Sequence, residues 1–139
     1  MNQHLGLISI LVDDYDKAIA FYTGKLAFQL IEDTRLTEEK RWVVVRPKGN
    51  GTASLLLAKA ANAVQKTQIG RQSGGRVFLF LFTDDLERDY NNYTGQGIEI
   101  VREPVTQNYG RVFVFADLYG NLWDCIQPAN NGLASKQTD

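Results

Sequence analysis

The chain has 139 residues, 44% hydrophobic and 22% charged, with a formal net charge of −1, which fits one compact globular domain with a core of ordinary size. A near-neutral balance without a Lys/Arg run offers no electrostatic pull on nucleic acid or on a membrane surface. No apolar run approaches the ~20 residues that a membrane-spanning helix needs.

Neither nucleic acid nor membrane is therefore expected as a partner. Met1-Asn2-Gln3-His4 lacks the basic start of a secretory signal, and a cytoplasmic protein is expected.

In chain order, Leu5–Val12 is an apolar run that predicts a first strand. Asp13 is a candidate helix N-cap, because a carboxylate accepts the free N–H groups of a first turn. Tyr15, Ala18, Ile19 and Tyr22 then recur at helical spacing. Gly24 offers the left-handed residue that commonly closes a helix. Strands follow at Phe28–Glu32, Arg41–Arg46 and Thr52–Leu57, with Gly49-Asn50-Gly51 turning between the last two. Residues 60–75, polar and ending in glycines, read as a connector.

The pattern then begins again. Val77–Thr83 is a strand, and Asp84 is an N-cap candidate with Glu87 at capping-box spacing. A helix carries Leu86, Tyr90 and Tyr93 on one face, with Gly95 to close it. Strands follow at Ile98–Arg102, Arg111–Ala116 and Leu122–Gln127, with Asp117–Asn121 as the final turn. The tail, residues 130–139, is polar and expected to fray.

Asp13-Asp14 and Asp84-Asp85 lie 71 positions apart, as do Tyr22-Thr23-Gly24 and Tyr93-Thr94-Gly95, and Gly49-Asn50 and Gly120-Asn121. Arg41 and Arg111, which each open a β-rich run, lie 70 apart. Several matches in order at nearly one offset mark an internal duplication. The expected fold is α+β, with two tandem βαβββ modules at about residues 4–58 and 76–128, a connector at 59–75 and a tail at 129–139.

Two stretches resemble a known family. Val12–Phe28 is similar to the opening module of the glyoxalase/bleomycin resistance protein/extradiol dioxygenase (vicinal oxygen chelate) superfamily. Asp117-Leu118-Tyr119-Gly120-Asn121-Leu122-Trp123-Asp124 is similar to its closing hairpin. The resemblance spans Leu5 to Gln127 and implies a cup of mixed β-sheet flanked by helices, four strands coming from each module. It also implies a homodimer in which two chains contribute to one cup. The superfamily contains isomerases, dioxygenases, epimerases, thiol transferases and non-catalytic drug binders, so activity must be argued from the site.

Catalytic members hold a divalent metal with His, Gln or Glu side chains. The resemblance places the first such ligand six residues before the Asp pair, at Leu7 and, in the repeat, at Phe78. The closing ligand, usually Glu, is Asp124 here, and its counterpart in the first module falls within Ser54–Leu56. One position in four can ligate, so no metal centre and no cofactor are expected. A divalent metal on a rearranged site, using Asp124, His4 or a partner chain, is the alternative. His4, the only histidine, lies three residues from Leu7, which on a strand puts the two on opposite faces.

In the register that the resemblance implies, Leu7, Ser9, Trp42, Arg46, Phe78, Phe80, Val114 and Asp124 face the bound molecule. Such a mainly apolar, aromatic lining suits a small, partly hydrophobic ligand. The aromatic stripe would serve equally as plain sheet core, and Arg46 equally as a solvated surface arginine. Asp124 is the single candidate for acid–base catalysis, since a buried carboxylate must meet a donor, be solvated or have a raised pKa. Cys125, in an apolar strand pattern without a Cys or His companion, reads as a structural thiol. Phosphate loops and a GxSxG elbow are absent from the sequence.

Three functions stay open on this reading. One is a metal-free small-molecule binding protein. Another is a lyase, isomerase or dioxygenase-like enzyme with a rearranged metal site or metal-free chemistry at Asp124. The last is a dimeric interaction module whose interior is filled.

Overall fold

The structure, a computed structural model, describes residues 1–129; the expectation for the tail concerns residues outside that range. The elements run β1 (Leu7–Val12), α1 (Tyr15–Ile19) continuing as a π-helical segment (Ala20–Lys25), β2 (Gln29–Arg35), β3 (Arg41–Arg46), β4 (Ser54–Lys59), α2 (Ala63–Thr67), β5 (Val77–Phe82), α3 (Leu86–Gly95), β6 (Ile100–Gln107), β7 (Gly110–Ala116) and β8 (Leu122–Pro128). The chain divides into two compact units, Met1–Gln72 and a second from Ser73. Each contains a four-stranded mixed sheet, ordered β1-β4-β3-β2 in the first and β5-β8-β7-β6 in the second. β1 runs parallel to β4 and β5 parallel to β8, and the remaining pairs are antiparallel. The fold is thus α+β, built from tandem βαβββ modules.

Alternation along the strands explains why each helix lies where it does. In the first unit, Ile10, Val12, Val43, Val45, Leu55 and Leu57 are buried on the face that meets α1. In the second, Tyr93 of α3 meets Phe115 edge-on at 5.0 Å, Tyr90 meets Phe113 at 5.3 Å, and Trp123 stacks on Phe115 at 5.7 Å. A matching ion pair ties helix to sheet in both units. Arg41 Nη1 lies 3.0 Å from Asp16 Oδ1, and Arg111 Nη2 lies 2.8 Å from Glu87 Oε1. Asp16 and Glu87 are 71 positions apart, so the duplication extends to this contact.

The helix ends differ from the sequence-based expectation. The N-caps are the second aspartates of each pair: Asp14 accepts from Lys17 N at 2.9 Å and Asp85 from Arg88 N at 3.1 Å. An N-cap carboxylate reaches the amide two or three residues on, and Asp13 and Asp84 lie four before Lys17 N and Arg88 N. Those two instead form exposed i,i+4 pairs with Lys17 and Arg88. Glu87 bonds to Arg111, so the capping box does not form.

Nor do Gly24 and Gly95 close the helices. The left-handed residues are Ala27 (φ 61°) and Gly97 (φ 76°). The two closing residues lie 70 rather than 71 positions apart, because the first unit has one residue more between its helical Tyr and its closing residue. That residue is absorbed as the π-helical turn, in which Leu26 N donates to Phe21 O at 3.2 Å.

Smaller corrections concern segment ends. β1 starts at Leu7, leaving His4 and Leu5 exposed outside it. β6 runs to Gln107, well past Arg102. The connector carries α2, capped by Asn62, whose side chain accepts from Gln65 N at 2.9 Å. It also supplies Gln72, whose amide lies along the outer edge of β1. Leu11 N donates to Gln72 Oε1 at 2.7 Å and Gln72 Nε2 donates to Ser9 O at 3.1 Å, as a neighbouring strand would.

Candidate functional site

Each sheet has a second face, turned away from its helix. On the first sheet Leu7 pairs with Ser54 and Arg46 with Gln29, and Ser54 and Arg46 are joined by their side chains. The next row consists of Ser9, Leu56, Val44 and Glu32. Alternation puts Trp42 on the same face as Val44 and Arg46. The expected first-sheet residues Leu7, Ser9, Trp42 and Arg46 therefore share one open face.

On the second sheet, Phe80, Asp124, Val114 and Arg102 form a row, with Phe82, Ile126, Val112 and Val105 beside it. Phe78 falls at a register shift between Val77 and Leu79, where β5 carries one residue more than β8. Phe80 and Phe82 are 57% and 49% exposed and Leu7 is 38% exposed, while Val112, Val114 and Ile126 are buried. Asp124 is half-buried and does not stand free.

The polar groups sort by partner. Arg46 Nε donates to Ser54 Oγ at 2.8 Å, and Ser54 Oγ donates to Thr52 O at 3.0 Å. On the same face Glu32 accepts from Thr34 Oγ1 at 2.9 Å. The Asp117–Asn121 turn is braced from within by its own carboxylate. Asp117 Oδ1 accepts from Tyr119 N and Asn121 N and its Oδ2 from Asn121 Nδ2, each at 2.9 Å. This carboxylate therefore holds the hairpin. Cys125 is fully buried on the helix side, where burial pushes its thiol up to about 12.

The metal that the resemblance implies can be tested against these positions. Leu56 is the structural counterpart of Asp124, because it pairs with Ser9 as Asp124 pairs with Phe80. Leu7, Leu56 and Phe78 carry no donor atom, and Asp124 is one carboxylate. Among the described residues no group of three or more His, Cys, Asp or Glu side chains comes together. These residues do not fit a divalent metal of that kind, which needs several donors.

Comparison with known proteins fits the fold. A family profile for the Glyoxalase/Bleomycin resistance protein/Dioxygenase superfamily matches residues 4–125. The chain belongs to this superfamily. A relative from Shewanella frigidimarina (strain NCIMB 400) is 57% identical over 128 residues, 91% of this chain and 95% of that protein. The crystal structure of UcmS2, 28% identical, superposes with a TM-score of 0.80 over 91% of this chain and 98% of that one. That of TnmS3, an antibiotic binding protein from Streptomyces sp. CB03234, is 30% identical, with a TM-score of 0.75 over 92% of this chain and 98% of that one.

Sequence reasoning missed Ser54 as the partner of Arg46, and Glu32 and Arg102 as members of the open faces. Ser54 and Leu56 alternate on one strand, which was legible. That Ser54 meets Arg46 depends on the β3–β4 register, and the bulges in β2 and β6 shift Glu32 and Arg102 onto their faces.

Proposed function

We propose that this chain is a small-molecule binding protein of the superfamily, holding a partly hydrophobic molecule against an open sheet face without a divalent metal. The observation that carries this reading is the chemistry of the positions where the resemblance puts metal ligands. Leu7, Leu56 and Phe78 are hydrocarbon, and the same faces expose Phe80 and Phe82. Apolar surface of this kind on a folded chain marks a place where something else binds. Ser9, Trp42 and Arg46 are the further candidate contacts on the first sheet's face, and Val114 and Asp124 those on the second's. The likeness to TnmS3, an antibiotic binding protein, supports the same reading.

The reading includes a homodimer. β5 is the edge strand of its sheet and carries the two exposed phenylalanines, so a second copy of the chain would cover both an open edge and an apolar face.

A thermal-shift screen with apolar and aromatic compounds tests the binding function. At least one compound should raise Tm in a saturable way, as mass action requires of a ligand that binds only the folded state. The reading is overturned if none does. It is also overturned if protein purified without a metal-affinity tag contains stoichiometric zinc, nickel, manganese or iron that Asp124→Ala removes.

A further inference from the structure

We propose that Arg46 is an anion-recognition site on the open face of the first sheet, so that the molecule bound there carries a carboxylate or sulfonate on an apolar body. This rests on the small-molecule reading above and names the class of ligand.

Arg46 closes β3 beside Gln29 of β2 and Ser54 of β4. Its Nε is committed to Ser54 Oγ at 2.8 Å. Ser54 is only 3% exposed and spends its own proton on Thr52 O, so its oxygen is left as an acceptor aimed at the guanidinium. That bond fixes the plane of the fork. The two terminal amino groups, Nη1 and Nη2, make no hydrogen bond or ion pair among the described residues. They carry four N–H donors and a full positive charge on a half-buried side chain.

Arg35 and Arg102, also on strands, likewise form no ion pair among the described residues, but only Arg46 has its Nε held by a buried side-chain hydroxyl. Three other guanidiniums are neutralised. Arg41 is neutralised by Asp33 and Asp16, Arg88 by Asp84 and Asp89, and Arg111 by Glu87. The acid on Arg46's own face, Glu32, accepts from Thr34 and forms no ion pair with it. Leu7, Val44 and Leu56 flank the site in the strand register.

A planar, preoriented fork with a vacant end matches two oxygens of a carboxylate or sulfonate. The apolar neighbours lower the local dielectric and strengthen that bond, and they give the rest of the ligand a dry surface. Binding exchanges water on Nη1 and Nη2 for the anion.

The test is a fluorescence titration with a matched pair of probes, 8-anilinonaphthalene-1-sulfonate and N-phenyl-1-naphthylamine, which differ by the sulfonate. The sulfonate should bind about ten-fold or more tightly than the neutral probe, as a charge-assisted hydrogen bond implies. Added salt should erode that advantage. In folded Arg46→Met the sulfonate should bind no more tightly than the neutral probe does to that same variant, and Ser54→Ala should reduce the preference by loosening the fork. The wild-type comparison needs no variant, so it decides even if a substitution fails to fold. Equal binding of both probes by the wild type, or a preference that survives in a folded Arg46→Met, would overturn the anion site and leave the small-molecule reading standing. Failure of both probes to bind would overturn both.

Discussion

Ala27 shows how one residue can carry the cost of a change in chain length. It adopts φ 61°, exposed between the buried Leu26 and Phe28, where its repeat mate is Gly97 at φ 76°. A Cβ in the left-handed region is strained, and glycine is not. Ala27→Gly should therefore stabilise the protein by about 1 kcal/mol, read as a higher denaturation midpoint with an unchanged m-value.

Cys125 and Tyr93 are titratable groups held neutral by burial. The Cys125 thiol is pushed up to about 12 from an ordinary value of 9.0, and the Tyr93 hydroxyl is raised from 10.0, with desolvation the first cause in both. Above pH 9 the unfolded chain loses these protons while the folded chain keeps them. Stability should be level below about pH 9 and fall as pH rises toward 12, measurable by urea unfolding across that range. At pH 8 the native thiol should be inert to Ellman's reagent and the denatured one reactive; rapid native labelling would contradict the burial argument.

The helices and edge strands hold at identifiable points. Asp14→Ala and Asp85→Ala should each cost about 1 kcal/mol, because each removes an N-cap. Asp13→Ala and Asp84→Ala should cost less than about 0.5 kcal/mol, because each removes an exposed i,i+4 pair. Equal costs for both members of a pair would argue against the cap assignment. Gln72 acts at the edge of β1, where its amide occupies Leu11 N and Ser9 O. Gln72→Ala should destabilise by about 1–2 kcal/mol and speed hydrogen exchange at the Leu11 amide.

At the scale of the whole molecule, the proposed dimer makes a further prediction. Sedimentation equilibrium at tens of micromolar should give twice the chain mass. Phe80→Glu with Phe82→Glu should shift it to the monomer, since two charges would have to be buried against the partner. A monomeric wild type would remove the dimer from the proposed function while leaving Arg46 and its probe test untouched.

The duplication, the α+β class and the succession of strands along the chain were legible in the sequence, because they rest on local patterns repeated at nearly one offset; the order of strands within each sheet was not. So was the hydrocarbon character of Leu7 and Phe78, which is a matter of residue identity alone. Which aspartate caps each helix, and whether Gly24 or Ala27 closes the first, differ by one to three residues and are settled by backbone hydrogen bonds. The pairing of Ser54 with Arg46, the correspondence of Leu56 with Asp124 and the clasp of Gln72 on β1 join segments whose register no local pattern encodes. Only the tertiary structure decided those, because a shift of one residue between strands would send every side chain to the opposite face.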